Sequence, residues 1–270
     1  MCIVDFESQS ELGSLGNIQN FVTRKFCDDR YVADHAQADQ KNKELVNKKT
    51  YWAGQNHISQ YTSQTAMALR IRDDLKNHTN SLSSSSRFYL NFGVEIEAFI
   101  YLASYFPKDM PIFHGVEHDE PIDEIRALMA NGKYSPKTLC SFTSDMDVAV
   151  SWAKHCGTNY IFTLLGGTPL GTSVETISGK PDEHEVLLSG GNIFEVQDMA
   201  THGDVTEIKF ITAPECNVDY LHSVLSASRT FGARDVVDIN AGKVANRIHT
   251  PLIADRDEDD ELPPRRKCCC

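Results

Sequence analysis

No stretch of this chain is apolar over the roughly 20 residues that a membrane-crossing helix needs. A protein that spans a bilayer by helices is therefore excluded as a first reading. The opening residues, MCIVDFESQS, lack a basic segment followed by an apolar one. No cleavable secretory signal is expected, and the cytoplasm is the expected location. An excess of basic residues is also missing: Lys and Arg number 26 against 38 Asp and Glu, a formal net charge of −12. Such a balance argues against a broad phosphate-binding face, so nucleic acid is not expected as a partner. It leaves room for a small basic pocket that takes one dinucleotide. Eight cysteines are present, but none is paired as CxxC, so neither a zinc site nor a redox motif is supported. Cys2, Cys27, Cys140, Cys156 and Cys216 read as reduced thiols. No internal repeat is visible.

What remains is an ordinary globular composition, 41% hydrophobic and 24% charged over 270 residues. That length holds one large domain or two small ones. Residues 1–48 form a polar N-terminal extension, helical or partly ordered around AQADQKNKELVNKK. In residues 51–75, Ile58, Tyr61, Met67 or Ala68, Leu69, Ile71 and Leu75 recur at three- and four-residue steps. This spacing predicts an amphipathic helix pair with a face on a core. NHTNSLSSSSR reads as a polar loop. NFGVEIEAFIYLASYF predicts a helix, with Pro107 as its stop.

After Pro111 the pattern changes. IFHGV, LCSFT, YIFTLL, EVLL, IFEV and TEIKFITA are short apolar runs, most of them bounded by Gly, Pro, Asn or Asp, and they read as strands. PIDEIRALMANG and DMDVAVSWAKHC read as helices between them, and LHSVLSASRTFG as a further helix candidate. Helices first and a mostly antiparallel sheet afterwards make an α+β architecture.

Four segments stand out in order: Tyr61-Thr62 with Leu69-Arg70, IFHG at 112–115, SFTSDMDVAVSWA at 141–153, and EHEVLLSGGNIFEV at 183–196. Glu183 and Glu185 are two apart. On a strand both carboxylates would project from one face, with Val186 and Leu188 anchoring the other. Two like charges that close raise at least one pKa. Ser141 and Thr143 share the same spacing, so both hydroxyls can face one cleft while Phe142 points into the core. His114 can hydrogen-bond a ribose hydroxyl, and Gly115 lets backbone approach a ligand closely. The plainer readings are solvated carboxylates on a strand edge, a strand's polar face, and a satisfied structural histidine.

In order and spacing these segments resemble the Arg-Ser-Glu class of mono-ADP-ribosyltransferases, over about residues 51–213. The resemblance implies an N-terminal helical lobe on a split antiparallel sheet, with NAD as co-substrate and a protein acceptor, usually arginine. It implies that Glu185 holds the nicotinamide ribose, that Glu183 orients or deprotonates the acceptor, and that Ser141 supports Glu185. His114, Gly115, Ser141 and Thr143 would line the NAD site, and no metal is implied. The turn 175–182, ETISGKPD, would shape the acceptor site. His114 stands where that class has arginine, and resembles instead the His-Tyr-Glu branch. Imidazole cannot make arginine's bidentate grip on phosphate, so Arg70 is a candidate for the missing cation. NAD glycohydrolysis and a non-catalytic NAD- or protein-binding module are the alternatives. The ADP-ribosyltransferase-like domain is expected at 49–215, with a C-terminal extension at 216–254.

The tail, residues 255–270, is acidic, then basic, then Cys268-Cys269-Cys270, and reads as disordered. It is not a CaaX box, because Lys267 stands fourth from the end. Terminal cysteines beside basic residues suit prenylation or palmitoylation, which implies membrane association of a native enzyme or a delivered effector.

Overall fold

The computed structural model describes residues 31–224, apart from 48–51, 64, 78–83, 103–104, 108–109, 118–121, 129–131, 218 and 222. The cysteine tail lies outside the described residues, as does most of the stretch read as a last helix.

Four helices come first: α1 (His35–Asn47), α2 (Trp52–Ser63), α3 (Thr65–Asn77) and α4 (Ser84–Leu102). The apolar periodicity of residues 51–75 resolves into α2 and α3. Ile58, Tyr61, Met67, Ile71 and Leu75 turn inward onto Leu90, Ile96, Phe99 and Ile100 of α4. Two expectations are corrected. The serine run is partly helix, since α4 begins at Ser84; serine favours helix starts by satisfying unpaired backbone donors. Pro107 does not stop this helix. α4 ends at Leu102, and Pro107 lies in β2 (Phe106–Pro107), which pairs in parallel with β1 (Tyr31–Val32).

The remaining strands are β3 (Ile112–Gly115), β4 (Lys133–Tyr134), β5 (Cys140–Thr143), β6 (Tyr160–Leu164), β7 (Gly171–Ser173), β8 (Glu185–Leu188), β9 (Phe194–His202) and β10 (Val205–Thr212). They form one sheet in the order β4-β9-β10-β6-β3-β5-β8-β7. Within it only β10 and β6 run parallel. The architecture is therefore α+β with a large, mostly antiparallel sheet. The expected split appears as a weak joint rather than a gap: β3 meets β5 through the single pair Phe113↔Thr143. On either side, β3–β6 and β5–β8 are each paired over four residues. Two helices are inserted, α5 (Ile122–Ala127) and α6 (Met146–Cys156).

β8 ties two cores together. Leu187 packs with the helical lobe, whereas Val186 and Leu188 pack in the sheet core with Phe142, Phe162 and Phe210. All three are fully buried. At about 1.5–3 kcal/mol per large apolar side chain, they hold this strand by about 5–9 kcal/mol at most.

The chain on both sides of residues 49–215 joins the same framework. Asn42 of α1 donates to the carbonyls of Tyr105 and Ser173, at 3.0 and 2.8 Å. Asp39 accepts from the Thr176 amide at 3.0 Å. Tyr220, Leu221 and Val224 complete the helical-lobe core.

Candidate functional site

An open cleft lies between the helical lobe and the weak joint in the sheet. Its walls come from α2 and α3 (Tyr61, Thr62, Ala68, Arg72), from β3 and β5, from α6 (Val148, Ala149, Trp152), and from Lys180, Glu183 and Glu185. Of the residues expected from sequence, His114, Gly115, Ser141, Thr143, Glu183 and Glu185 line it, and Arg70 does not.

Glu185 opens β8 opposite Thr143 of β5 and is 5% exposed. Its carboxyl accepts hydrogen bonds from Ser141 and, at 3.4 Å, from the Ser178 hydroxyl. Its pKa is pushed up to about 7, chiefly by burial. The Ser141 bond opposes this, and Glu183 adds a smaller upward push. The like-charge neighbour raises this pKa as expected, but desolvation disfavours the charged form more than the neighbour does.

Glu183 is not on the strand. Pro181–Glu183 is a single 3-10 turn, and His184 follows in the left-handed region at φ 47°. The two carboxylates are therefore not related by strand alternation. Pro181 fixes φ and removes a ladder donor at the first position of the turn, which ends strand geometry there. His184 pairs with Glu175 at 3.1 Å instead of entering the core. The Lys180 ammonium lies 3.1 Å from the Glu183 carboxylate and 5.7 Å from the Trp152 ring centre.

The turn before Glu183 is braced by the helical lobe. The Gly179 amide donates to the Thr62 hydroxyl at 2.7 Å, and the Lys180 amide to the Ser178 hydroxyl at 3.0 Å. A Cβ on Gly179 would lie 2.8 Å from the Ser59 carbonyl oxygen and closer still to the Ser63 hydroxyl, so α2 fits this turn only if the position is glycine.

Ser141 and Thr143 face the cleft while Phe142 enters the sheet core, as strand alternation requires. The Thr143 hydroxyl also accepts the Asp145 amide at 3.0 Å. Asp145 in turn caps α6, its carboxylate accepting from the Asp147 amide at 2.8 Å. His114 is buried at the edge of the aromatic cluster, its ring centre 5.3 Å from Phe142 and 5.6 Å from Phe162. Its Nδ1 donates to the Ser141 carbonyl at 2.7 Å, which fixes the proton on that nitrogen. Gly115 has a packing reason as well. A Cβ there would lie 2.2 Å from the Ala149 carbonyl oxygen and 2.8 Å from the Ala153 nitrogen. Glycine is required here by the close approach of β3 and α6, while the residue also lines the cleft.

Arg70 is exposed and does not line the cleft. Arg72 of α3 does, beside Lys180; its guanidinium donates to Glu117 at 2.6 Å. The signal was present in sequence: Ala68 and Arg72 are four apart and adjoin the buried stripe of Ile71 and Leu75. Tyr61 is buried beneath the cleft, and its hydroxyl faces Ser141 without a well-formed hydrogen bond. Burial raises its pKa, so it stays a phenol. Among the described residues no cluster of His, Cys, Asp and Glu could hold a metal ion, and no helix is long and apolar enough to cross a membrane.

No known family profile matches this sequence. Curated proteins give no significant match either. Solved structures do resemble the fold. C3stau2 from S. aureus, determined with NAD, is 14% identical, covering 68% of this chain and 97% of its own, with a TM-score of 0.48. The Clostridium limosum C3 exoenzyme is 15% identical, with 68% and 96% covered and the same TM-score of 0.48. The ADP-ribosyltransferase HopU1 of Pseudomonas syringae pv. Tomato is 14% identical, with 77% and 99% covered and a TM-score of 0.48.

Proposed function

We propose that this protein is a mono-ADP-ribosyltransferase that takes NAD as co-substrate and transfers ADP-ribose to a protein side chain, with arginine the acceptor its site suits best. One observation carries the reading: a buried carboxylate, Glu185, accepts a hydrogen bond from Ser178 beside Ser141 and lines an open cleft shared with His114, Thr143 and Arg72. The nicotinamide of NAD is a cationic leaving group. It departs with the electron pair of the C1′–N bond and needs no proton. The ribose left behind has oxocarbenium character, which a fixed negative charge stabilises. In a dry setting that charge acts more strongly than in water. Ser141 and Ser178 orient Glu185 against the nicotinamide ribose. The acceptor nitrogen then bonds to C1′, and its proton passes to Glu183 at the cleft mouth.

Arg72 takes the part proposed for Arg70: it is the cation that would meet the NAD pyrophosphate, once Glu117 gives way. His114 acts through Ser141. Its Nδ1 is committed to that residue's carbonyl, so the ring can offer a ribose hydroxyl only its other nitrogen. Gly115 and Thr143 complete this wall. A specific observation favours NAD glycohydrolysis as the second reading: Glu183 is already paired with Lys180.

Incubation of the pure protein with labelled NAD and a cell lysate separates the readings. Label on protein is expected. Free ADP-ribose alone would mean hydrolysis, and NAD binding without turnover a non-catalytic module. Glu185→Gln is expected to abolish both activities, and Glu183→Gln to spare hydrolysis and lose transfer. Full activity in Glu185→Gln would sink the assignment. We also propose that Cys268, Cys269 and Cys270 carry lipid and bring the enzyme to a membrane. Deleting these three residues should release it, and unchanged fractionation would end that idea.

A further inference from the structure

Lys180, Glu183 and Trp152 make an arrangement at the cleft mouth that the transfer reaction does not by itself require. Lys180 stands just before the one-turn helix Pro181–Glu183, and its side chain reaches Glu183 at the end of that turn. The ammonium lies 3.1 Å from the carboxylate and 5.7 Å from the centre of the indole ring. A cation held between a carboxylate and an aromatic face is the general way proteins bind ammonium and guanidinium groups. The position is also fixed. Gly179 is hydrogen-bonded to Thr62, the Lys180 amide to Ser178, and α6 carries Trp152 behind the Asp145 cap. The turn cannot swing away without breaking contacts to the helical lobe.

We infer that Trp152 and Glu183 form a subsite for a cationic acceptor side chain, and that Lys180 is its built-in occupant, competing with the incoming acceptor. The inference rests on the transferase reading and adds to it how the acceptor is selected. A guanidinium displaces an ammonium here because it is planar, stacks on indole, makes two parallel hydrogen bonds to one carboxylate and is more weakly hydrated. A lysine acceptor has no such advantage over the lysine already present. Lys180 therefore tunes the site for guanidinium and keeps Glu183 occupied when no acceptor is bound.

The test uses the full-length protein and agmatine, a small guanidinium compound, titrated calorimetrically without NAD. Lys180→Met should tighten agmatine binding at least fivefold over wild type, whereas Lys180→Arg, which refills the subsite, should not. In a Glu183→Gln background the Lys180→Met change should have no effect, because the carboxylate being competed for is gone. Equal agmatine affinity in wild type and Lys180→Met overturns the inference, as does the same tightening in the Glu183→Gln background. Because binding is read without turnover, this result is separable from the enzymatic one. NAD turnover without an agmatine response removes only the competing lysine, and an agmatine response without NAD turnover removes only the transferase reading.

Discussion

Glu185 sets stability against function within one residue. Its pKa, raised to about 7 by burial, means that the folded protein resists the charge its chemistry needs. The sign follows from linkage. The unfolded carboxyl ionises near its ordinary value and the folded one only near neutrality. Below the ordinary value the group costs nothing. Stability is lost as pH rises from there to about 7, and the loss is constant above. It amounts to on the order of 3 kcal/mol, less than the roughly 5–9 kcal/mol by which Val186, Leu187 and Leu188 anchor the same strand. Glu185→Gln should therefore be inactive and yet melt higher than wild type at pH 8, with the difference vanishing toward pH 4. In wild type, kcat/KM for NAD should rise with pH through an apparent pKa near 7. Cationic nicotinamide favours the ionised form, so the kcat limb should lie lower. A Glu185→Gln protein that melts below wild type at pH 8 would contradict the buried-charge account.

The elements were legible in sequence where one physical rule acted alone. The 3.6-residue period found α2 and α3, and alternating burial found the core side of β5. Reading failed where a second rule intervened. Glu183 was placed on β8 by period two, but Pro181 ends strand geometry just before it. Arg70 stands on the exposed side of α3, and the spacing that sets Arg72 beside the buried Ile71 and Leu75 points to Arg72 as the cleft residue. Gly115 reads in sequence as a ligand-facing glycine, and its packing against α6 is a second reason that spacing alone does not show. Gly115→Ala tests that packing at the scale of the β3–α6 pair. The added methyl meets the backbone of α6, not a side chain that can swing aside. Overpacking of this kind costs about 1–3 kcal/mol, so a fall in Tm of roughly 3–10 °C is expected. Because α6 carries Val148, Ala149 and Trp152 into the cleft, NAD affinity should fall as well. An unchanged Tm would show that α6 is not seated against β3 as described.

At the scale of the molecule, the sequence placed the catalytic unit within residues 49–215, while the packing reaches beyond Glu215. Tyr220, Leu221 and Val224 are buried in the helical-lobe core. The Tyr220 hydroxyl donates at 2.7 Å to Glu97, which is fully buried on α4 and also accepts the Gly190 amide at 3.0 Å. Asn217 donates its amide to the Gly191 carbonyl at 2.8 Å. Gly190 and Gly191 follow β8 directly, so the segment after Glu215 braces the strand that carries Glu185 from its far end. A chain ending at Glu215 loses three buried side chains at about 1.5–3 kcal/mol each and one of the donors to the buried Glu97 carboxylate, at about 1–3 kcal/mol more. The sum is comparable to the roughly 5–15 kcal/mol that holds a domain folded. That chain should be insoluble or lack a cooperative melt by circular dichroism. Tyr220→Phe, which removes only the hydroxyl, should fold with a lowered Tm. A soluble 1–215 chain with the Tm of the full-length protein would show that residues 217–224 merely rest on the lobe. Such a result would also remove Glu97 as the link through which the C-terminal segment steadies the candidate catalytic strand.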